Sequence, residues 1–199
     1  GVATSTSPAG PFKPEPNPIE GSFSIDPSVF IDDDGAAYMY FGGLGEHGKA
    51  ESPMVARMKD NMKEFAEEPR RIEGADFFFE GAWMNKINGT YYLSYSTGNM
   101  NKDYKPSAIA YATSDSPYGP FKYQGVILKS VGIWTNHHSI INLKGDWYIF
   151  YHNGALKGGG NNNRSVCIDR LYFNPDGTIQ MVEPTKEGVP AVDLGKPSA

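Results

Sequence analysis

Three runs of this sequence, DPSVFIDDDGAAYMYFGG (26–43), EGAWMNKINGTYYLSYSTG (80–98) and NHHSIINLKGDWYIFYHNG (136–154), share one layout. Each reads as a short apolar strand, a turn that ends in glycine, and a tyrosine-rich strand. The glycines, Gly35, Gly89 and Gly145, recur at intervals of 54 and 56 residues. Asp34-Gly35 and Asn88-Gly89 are strong hairpin signals and Lys144-Gly145 a weaker one, because glycine and asparagine accept a positive φ. Outer segments repeat as well: VATSTSPAGPFK (2–13) and YATSDSPYGPFK (111–122) match at an offset of 109, two such periods. The unit is therefore about 55 residues long and carries about four strands, the size of a β-propeller blade. An all-β fold is expected.

The stretch MVARMKDNMKEFAEEP (54–69) is rich in helix formers. Its place in the repeat corresponds to SAIAYATSD (107–115), so a strand followed by a loop is expected there. With 12 Tyr and 11 Phe among 199 residues, and 23 Gly and 15 Pro, the composition suits short strands and tight turns and opposes intrinsic disorder. A net charge of −5 supplies no basic stripe for phosphates, which argues against a nucleic-acid groove. The single cysteine, Cys167, excludes an intrachain disulfide framework. It lies in the strand-like run SVCIDRLYF (165–173) and reads as a buried, inert thiol. No apolar run reaches membrane-spanning length, so no membrane partner is expected. The first residues, GVATSTSPAGPFKPEP, have neither the positive n-region nor the apolar h-region of a signal peptide.

The repeat also places chemistry. Asp26, Glu80 and Asn136 each stand nine residues before their turn glycine. Equivalent positions in successive units should begin the innermost strands and converge on one axis. Asp26 alone would read as a turn acid before Pro27, but its equivalence to Glu80 favours a functional role. Glu80 follows Phe77, Phe78 and Phe79 and precedes Trp83 and Met84. Such apolar neighbours disfavour a surface glutamate and would raise its pKa, as a general acid requires. His137 and His138 are adjacent and point to opposite faces of a strand, so one can face the axis while the other takes a structural hydrogen bond. His47 and His152 carry no comparable signal. Arg164 enters a strand from the loop GGGNNN and can either recognise a hydroxyl-rich or anionic ligand or pair with one of the acids. Phe79, Trp83 and Trp134 flank the site as sugar platforms or as core. The run Asp32-Asp33-Asp34 lacks the alternating spacing of a calcium loop and reads as turn chemistry.

Taken together, SIDPSVFIDDDG, FFEGAWMNKINGTYYLSYSTG, NHHSIINLKGDWYIFYHNG and RSVCIDRLYFNPDGTI resemble glycoside hydrolase family 43, from Val2 to about Val189. The resemblance implies a five-bladed β-propeller that removes arabinofuranosyl or xylosyl units from plant polysaccharides by inversion. It implies that Glu80 is the general acid, that Asp26 tunes its pKa and orientation, and that Arg164 contacts substrate. It implies that His137 is the axial histidine associated with calcium, and that the protein is secreted or periplasmic. The general base of the family belongs to the first blade, about 110 residues before Asp26 by this repeat, whereas 25 residues precede Asp26 here. The expected organisation is residues 1–20 as outer strands of the second blade, 21–75 the third, 76–130 the fourth, 131–190 the fifth and 191–199 a tail. A second polypeptide segment would then complete the propeller. A shortened chain and a non-catalytic, carbohydrate-binding propeller fragment are the other expectations.

Overall fold

Hairpins set the architecture. In the computed structural model, which describes residues 1–43 and 53–193, strand β7 (Glu80–Ile87) turns into β8 (Thr90–Ser96) through Asn88 and Gly89 alone. Both turn residues have positive φ, 51° and 86°, which matches the twist of the strands they join. Lys144 and Gly145, at 54° and 89°, do the same between β11 (His138–Leu143) and β12 (Asp146–Asn153). The stronger-looking Asp34-Gly35 lies in a longer loop between β3 (Ser28–Ile31) and β4 (Ala37–Phe41). There the Asp34 carboxylate accepts the Ala36 N–H at 2.9 Å and holds the wider turn.

Among the described residues the strands assemble into two four-stranded antiparallel sheets, one three-stranded sheet and one two-stranded ladder. The first has β3, β4, β5 (Met54–Arg57) and β6 (Arg70–Arg71) in order. The segment with helix-forming composition is thus strand β5 followed by turns, as its register in the repeat requires. In the second sheet β7, β8, β9 (Ile109–Ser114) and β10 (Lys122–Leu128) follow one another, and in the third β11, β12 and β13 (Ser165–Leu171). Three strands stand here where four were expected. After β13 the chain crosses to the outer edge of the second sheet, and Val182 donates its N–H to Ile127 at 2.7 Å. Near the start, β1 (Ala3–Thr4) pairs with β2 (Lys13–Pro14), Thr4 opposite Lys13. Thr113 lies opposite Lys122 in the same way, so the two copies of the outer repeat form the same ladder.

The first strands of the sheets are neighbours: β7 packs against β3 on one side and β11 on the other. Between the first two sheets lies a core of Tyr38, Tyr40, Leu93, Tyr95 and Ala110, and between the second and third a core of Tyr92, Ile109, Ile149 and Tyr151. Alternation along β4 and β8 sends successive residues to opposite cores, which is why both strands are buried on both faces. Buried tyrosines keep their hydroxyls partnered: Tyr40 donates to Pro117 O at 2.8 Å and Tyr95 to Asp76 O at 2.7 Å.

The far face of the first sheet is different. Met39 and Phe41 cluster there with Ile19 and Met58. Val29 and Ile31, directly opposite Met39 and Ala37 in the ladder, share that face yet remain exposed, Ile31 at 64%. A cavity of about 530 Å3 opens beside them, lined by Phe23, Ile25, Val29, Met39 and Phe41 among others.

Cys167 is half-buried on β13, its thiol pushed up first by burial and then by the Asp169 charge. Among the described residues no helix is long and apolar enough to cross a membrane.

Candidate active site

The chain brings three of the expected residues to one point at the start of the inner strands. Asp26 stands two residues before β3, and its φ of +55° is a left-handed conformation that aspartate tolerates better than most side chains. Glu80 is the first residue of β7 and is buried. Immediately after it the ladder bulges: Glu80 pairs with Ser96 and Trp83 with Ser94, so Gly81 and Ala82 together oppose Tyr95. Gly81 has φ +67°, the glycine conformation that such a bulge needs. The bulge turns the Glu80 side chain toward His137, two residues after Thr135 on the approach to β11.

His137 Nε2 lies 3.2 Å from Asp26 Oδ2 and 3.3 Å from Glu80 Oε1. The Asp26 carboxylate first, and Glu80 second, hold the imidazole protonated and push its pKa up to about 9 against the opposing effect of burial. One imidazole thus bridges the two acidic side chains. His138 points the other way, its Nε2 2.6 Å from Ser94 Oγ. Enclosure of its ring, then the charge of His137, pushes its pKa down to about 3. The expectation that the two histidines divide between faces holds.

Around the same strand ends several buried polar atoms have no hydrogen-bond partner among the described residues: Ser28 Oγ, both amide atoms of Asn136, and Nδ1 of His138 and His152, while Asp26 Oδ2 has the ion-pair contact with His137 alone. Asn136 is 0% exposed, and it holds the position in the repeat that Asp26 and Glu80 hold in theirs. Such atoms are ordinarily satisfied by ordered water or an ion. The donor atoms of Asp26, Glu80 and His137 all lie within 4.8 Å of one another. Two carboxylate oxygens suit a hard cation such as calcium. His137 can join them only without its Nε2 proton, so proton and metal compete for one place.

Arg164, exposed at the end of the glycine-rich loop, is tied down at each nitrogen. Nε donates to Asn161 O at 2.6 Å, Nη2 donates to Thr135 Oγ1 at 3.1 Å, and Nη1 lies 3.4 Å from His152 Nε2. No carboxylate is among these partners. Trp134, 49% exposed, stands on the same loop pair, its backbone N–H donated to Asn161 Oδ1 at 3.0 Å. Trp83 is placed differently. Its indole packs into the core between the second and third sheets and donates to Ile140 O at 2.9 Å, which is the packing use and not a platform. Phe79 is half-buried with its ring against Gly98. His47 lies outside the described residues.

His152 is the residue that sequence reasoning passed over. It accepts the backbone N–H of His137 at 3.1 Å through Nε2. Burial first, then the charges of Arg164 and His137, lower its pKa to about 4. Its only trace in the sequence is its place two residues before the turn that ends the third hairpin.

The chain is an all-β array of hairpin sheets, with an acid pair and a histidine where the first strands of those sheets begin. Residues 1–179 match the model of glycosyl hydrolases family 43. The chain is 43% identical over 224 residues to xylosidase/arabinosidase 43A of Humicola insolens, covering 92% of this chain and 67% of that protein. Among solved structures, a family 43 β-xylosidase/α-arabinofuranosidase from a compost metagenome, in complex with xylotriose in a calcium-free form, superposes with a TM-score of 0.82 at 47% identity, covering 92% of this chain and 64% of that one. The GH43_1 enzyme of Xanthomonas citri complexed with xylotriose gives 0.84 at 41% identity, covering 95% and 66%. This chain belongs to glycosyl hydrolases family 43. It spans about two-thirds of the length of these relatives.

Proposed function

We propose that the protein acts in glycoside hydrolysis with inversion, releasing terminal xylosyl or arabinofuranosyl units from arabinoxylan-type chains or oligosaccharides. The observation that carries this reading is the Asp26–His137–Glu80 set at the inner strand ends of a family 43 chain. Glu80 is proposed as the general acid that protonates the leaving oxygen. Asp26 is proposed as the neighbour that tunes and orients it, and Arg164 and Trp134 as substrate contacts. An inverting acid and base stand about 6.5–9.5 Å apart, with water and sugar between them. The Asp26 and Glu80 oxygens are closer than that, and His137 fills the space between them. Asp26 therefore makes a poor general base, and the pair makes a poor retaining couple as well. The base is assigned to sequence outside these 199 residues.

The open face of the first sheet supports a further part of this reading. In the second sheet Leu93 and Tyr95 meet the first sheet, and in the third Ile149 and Tyr151 meet the second. Among the described residues the corresponding Met39 and Phe41 meet no other four-stranded sheet, and Ile19, Met58 and the chain around Val2, beside the short β1–β2 ladder, pack on them. Another sheet of the same kind, supplied by sequence outside this chain, is proposed to cover this face, where Val29 and Ile31 stay exposed, as part of a five-bladed propeller that brings the base to the axis.

Two measurements test the function. Proton NMR of the assembled enzyme acting on xylobiose and on arabinosylated xylo-oligosaccharides is expected to show first-formed sugar of inverted anomeric configuration. Retained configuration, or no release from either substrate, would overturn it. Calcium is proposed to bind at His137 with the flanking carboxylates, where it would supply positive charge in place of the histidine proton. Adding calcium to chelator-treated protein should then raise the unfolding midpoint of wild type. It should leave His137→Ala unmoved; an equal rise in both would place the ion elsewhere.

A further inference from the structure

His152 occupies the next-to-last position of β12 (Asp146–Asn153) and, among the described residues, bonds to His137 and Arg164 and to neither of the two acids, yet it holds the residue that touches both. Its Nε2 accepts the His137 backbone N–H at 3.1 Å. The two imidazoles also stack, with centroids 6.4 Å apart and planes 23° apart. His137 in turn places its own Nε2 3.2 Å from Asp26 and 3.3 Å from Glu80. A second donor, Arg164 Nη1, stands 3.4 Å from His152 Nε2. Two N–H donors directed at one ring nitrogen require that nitrogen to keep its lone pair, which puts the proton of the neutral ring on Nδ1. Arg164 is itself pinned by Asn161 and Thr135, so the arginine loop is coupled through His152 to the acid pair.

We propose that His152 is a positioning residue: its neutral ring holds the amide and imidazole of His137 so that His137 Nε2 stays between Asp26 and Glu80. The approach of Arg164 to the same nitrogen makes the position of this ring sensitive to what Arg164 binds. The kinetic consequence rests on the proposed glycosidase reading, while the positional one does not.

The test compares His152→Phe, which keeps a ring without an acceptor, with His152→Gln, whose amide oxygen can accept in its place. Crystal structures of both variants and turnover of xylobiose by the complete enzyme are the readouts. In His152→Phe, His137 Nε2 is expected to draw away from at least one carboxylate by about 1 Å, with kcat falling by about tenfold or more while KM stays within about twofold. His152→Gln is expected to restore the distances and most of kcat. An unmoved His137 in His152→Phe overturns the proposal, and so does wild-type kcat. Equal loss of unfolding midpoint and activity in both variants, without rescue by glutamine, would reduce His152 to a structural role and overturn it as well. A wild type without turnover would count against the glycosidase reading, and the crystal structures would still decide the role of His152.

Discussion

Gly81 has no side chain and yet decides where Glu80 points. It takes a left-handed φ within the bulge, and a Cβ built on it would meet three atoms of the His137 ring at 3.4 Å. Gly81→Ala should therefore strain the backbone by about 1–2 kcal/mol and press on the imidazole that bridges the acids. The expected result is a kcat lowered by about tenfold or more with a small drop in unfolding midpoint, read by steady-state kinetics beside calorimetry. A wild-type kcat would show that the bulge does not orient the acid. At this scale the sequence was partly legible. Asp26, Glu80, Asn136 and His137 stood out because the repeat put them in register. Gly81 and His152 did not, since their roles depend on a backbone conformation and on a contact between strand end and loop that no local pattern encodes. Trp83 misled because its indole is taken up by the core beside the third sheet and by Ile140 O, 57 residues away, which no local pattern encodes.

Elements are joined by an ion pair that the sequence disguised as turn chemistry. Asp32, at the end of β3, accepts from Lys86 Nζ at 2.6 Å and from Tyr91 Oη at 2.5 Å. Lys86 also pairs with Asp33 at 2.9 Å. Burial pushes the Asp32 pKa up most strongly, but Lys86, Tyr91 and the Asp33 amide together outweigh it and leave it lowered. A carboxylate lowered by folding adds stability above the unfolded value of about 3.9. That stability drains away as pH falls through the lower folded value. Lys86→Met removes the main partner and strands a buried charge. It should lower the unfolding midpoint at pH 7 and flatten the loss of stability seen in wild type below about pH 4. Parallel acid-unfolding curves for variant and wild type would contradict this. The hairpins themselves were legible, with one reversal of strength: the weaker signal Lys144-Gly145 makes a tight turn, while Asp34-Gly35, one of the two strong ones, lies in a longer loop held by the Asp34 carboxylate. The ion pair was not legible, because it joins residues 54 apart through sheet packing.

Across the whole molecule, the 55-residue period announced the sheets before any contact was known, and the two outer copies pair with identical register. What the period could not foretell is how the chain ends its last sheet, since the crossing of residues 172–182 to the edge of β10 depends on an exposed edge elsewhere. The proposed activity draws on all three scales: acids in register, sheets that hold them at one axis, and a face left for a further sheet. Its central claim is that Glu80 delivers a proton to the leaving oxygen, and leaving-group dependence tests that most directly. Glu80→Ala in the complete enzyme should lose about 10²–10⁴-fold on xylobiose, whose leaving alcohol needs the proton. It should lose far less on 2,4-dinitrophenyl xyloside, whose phenolate leaves unaided. Equal losses on the two substrates, or wild-type rates on both, would contradict the account.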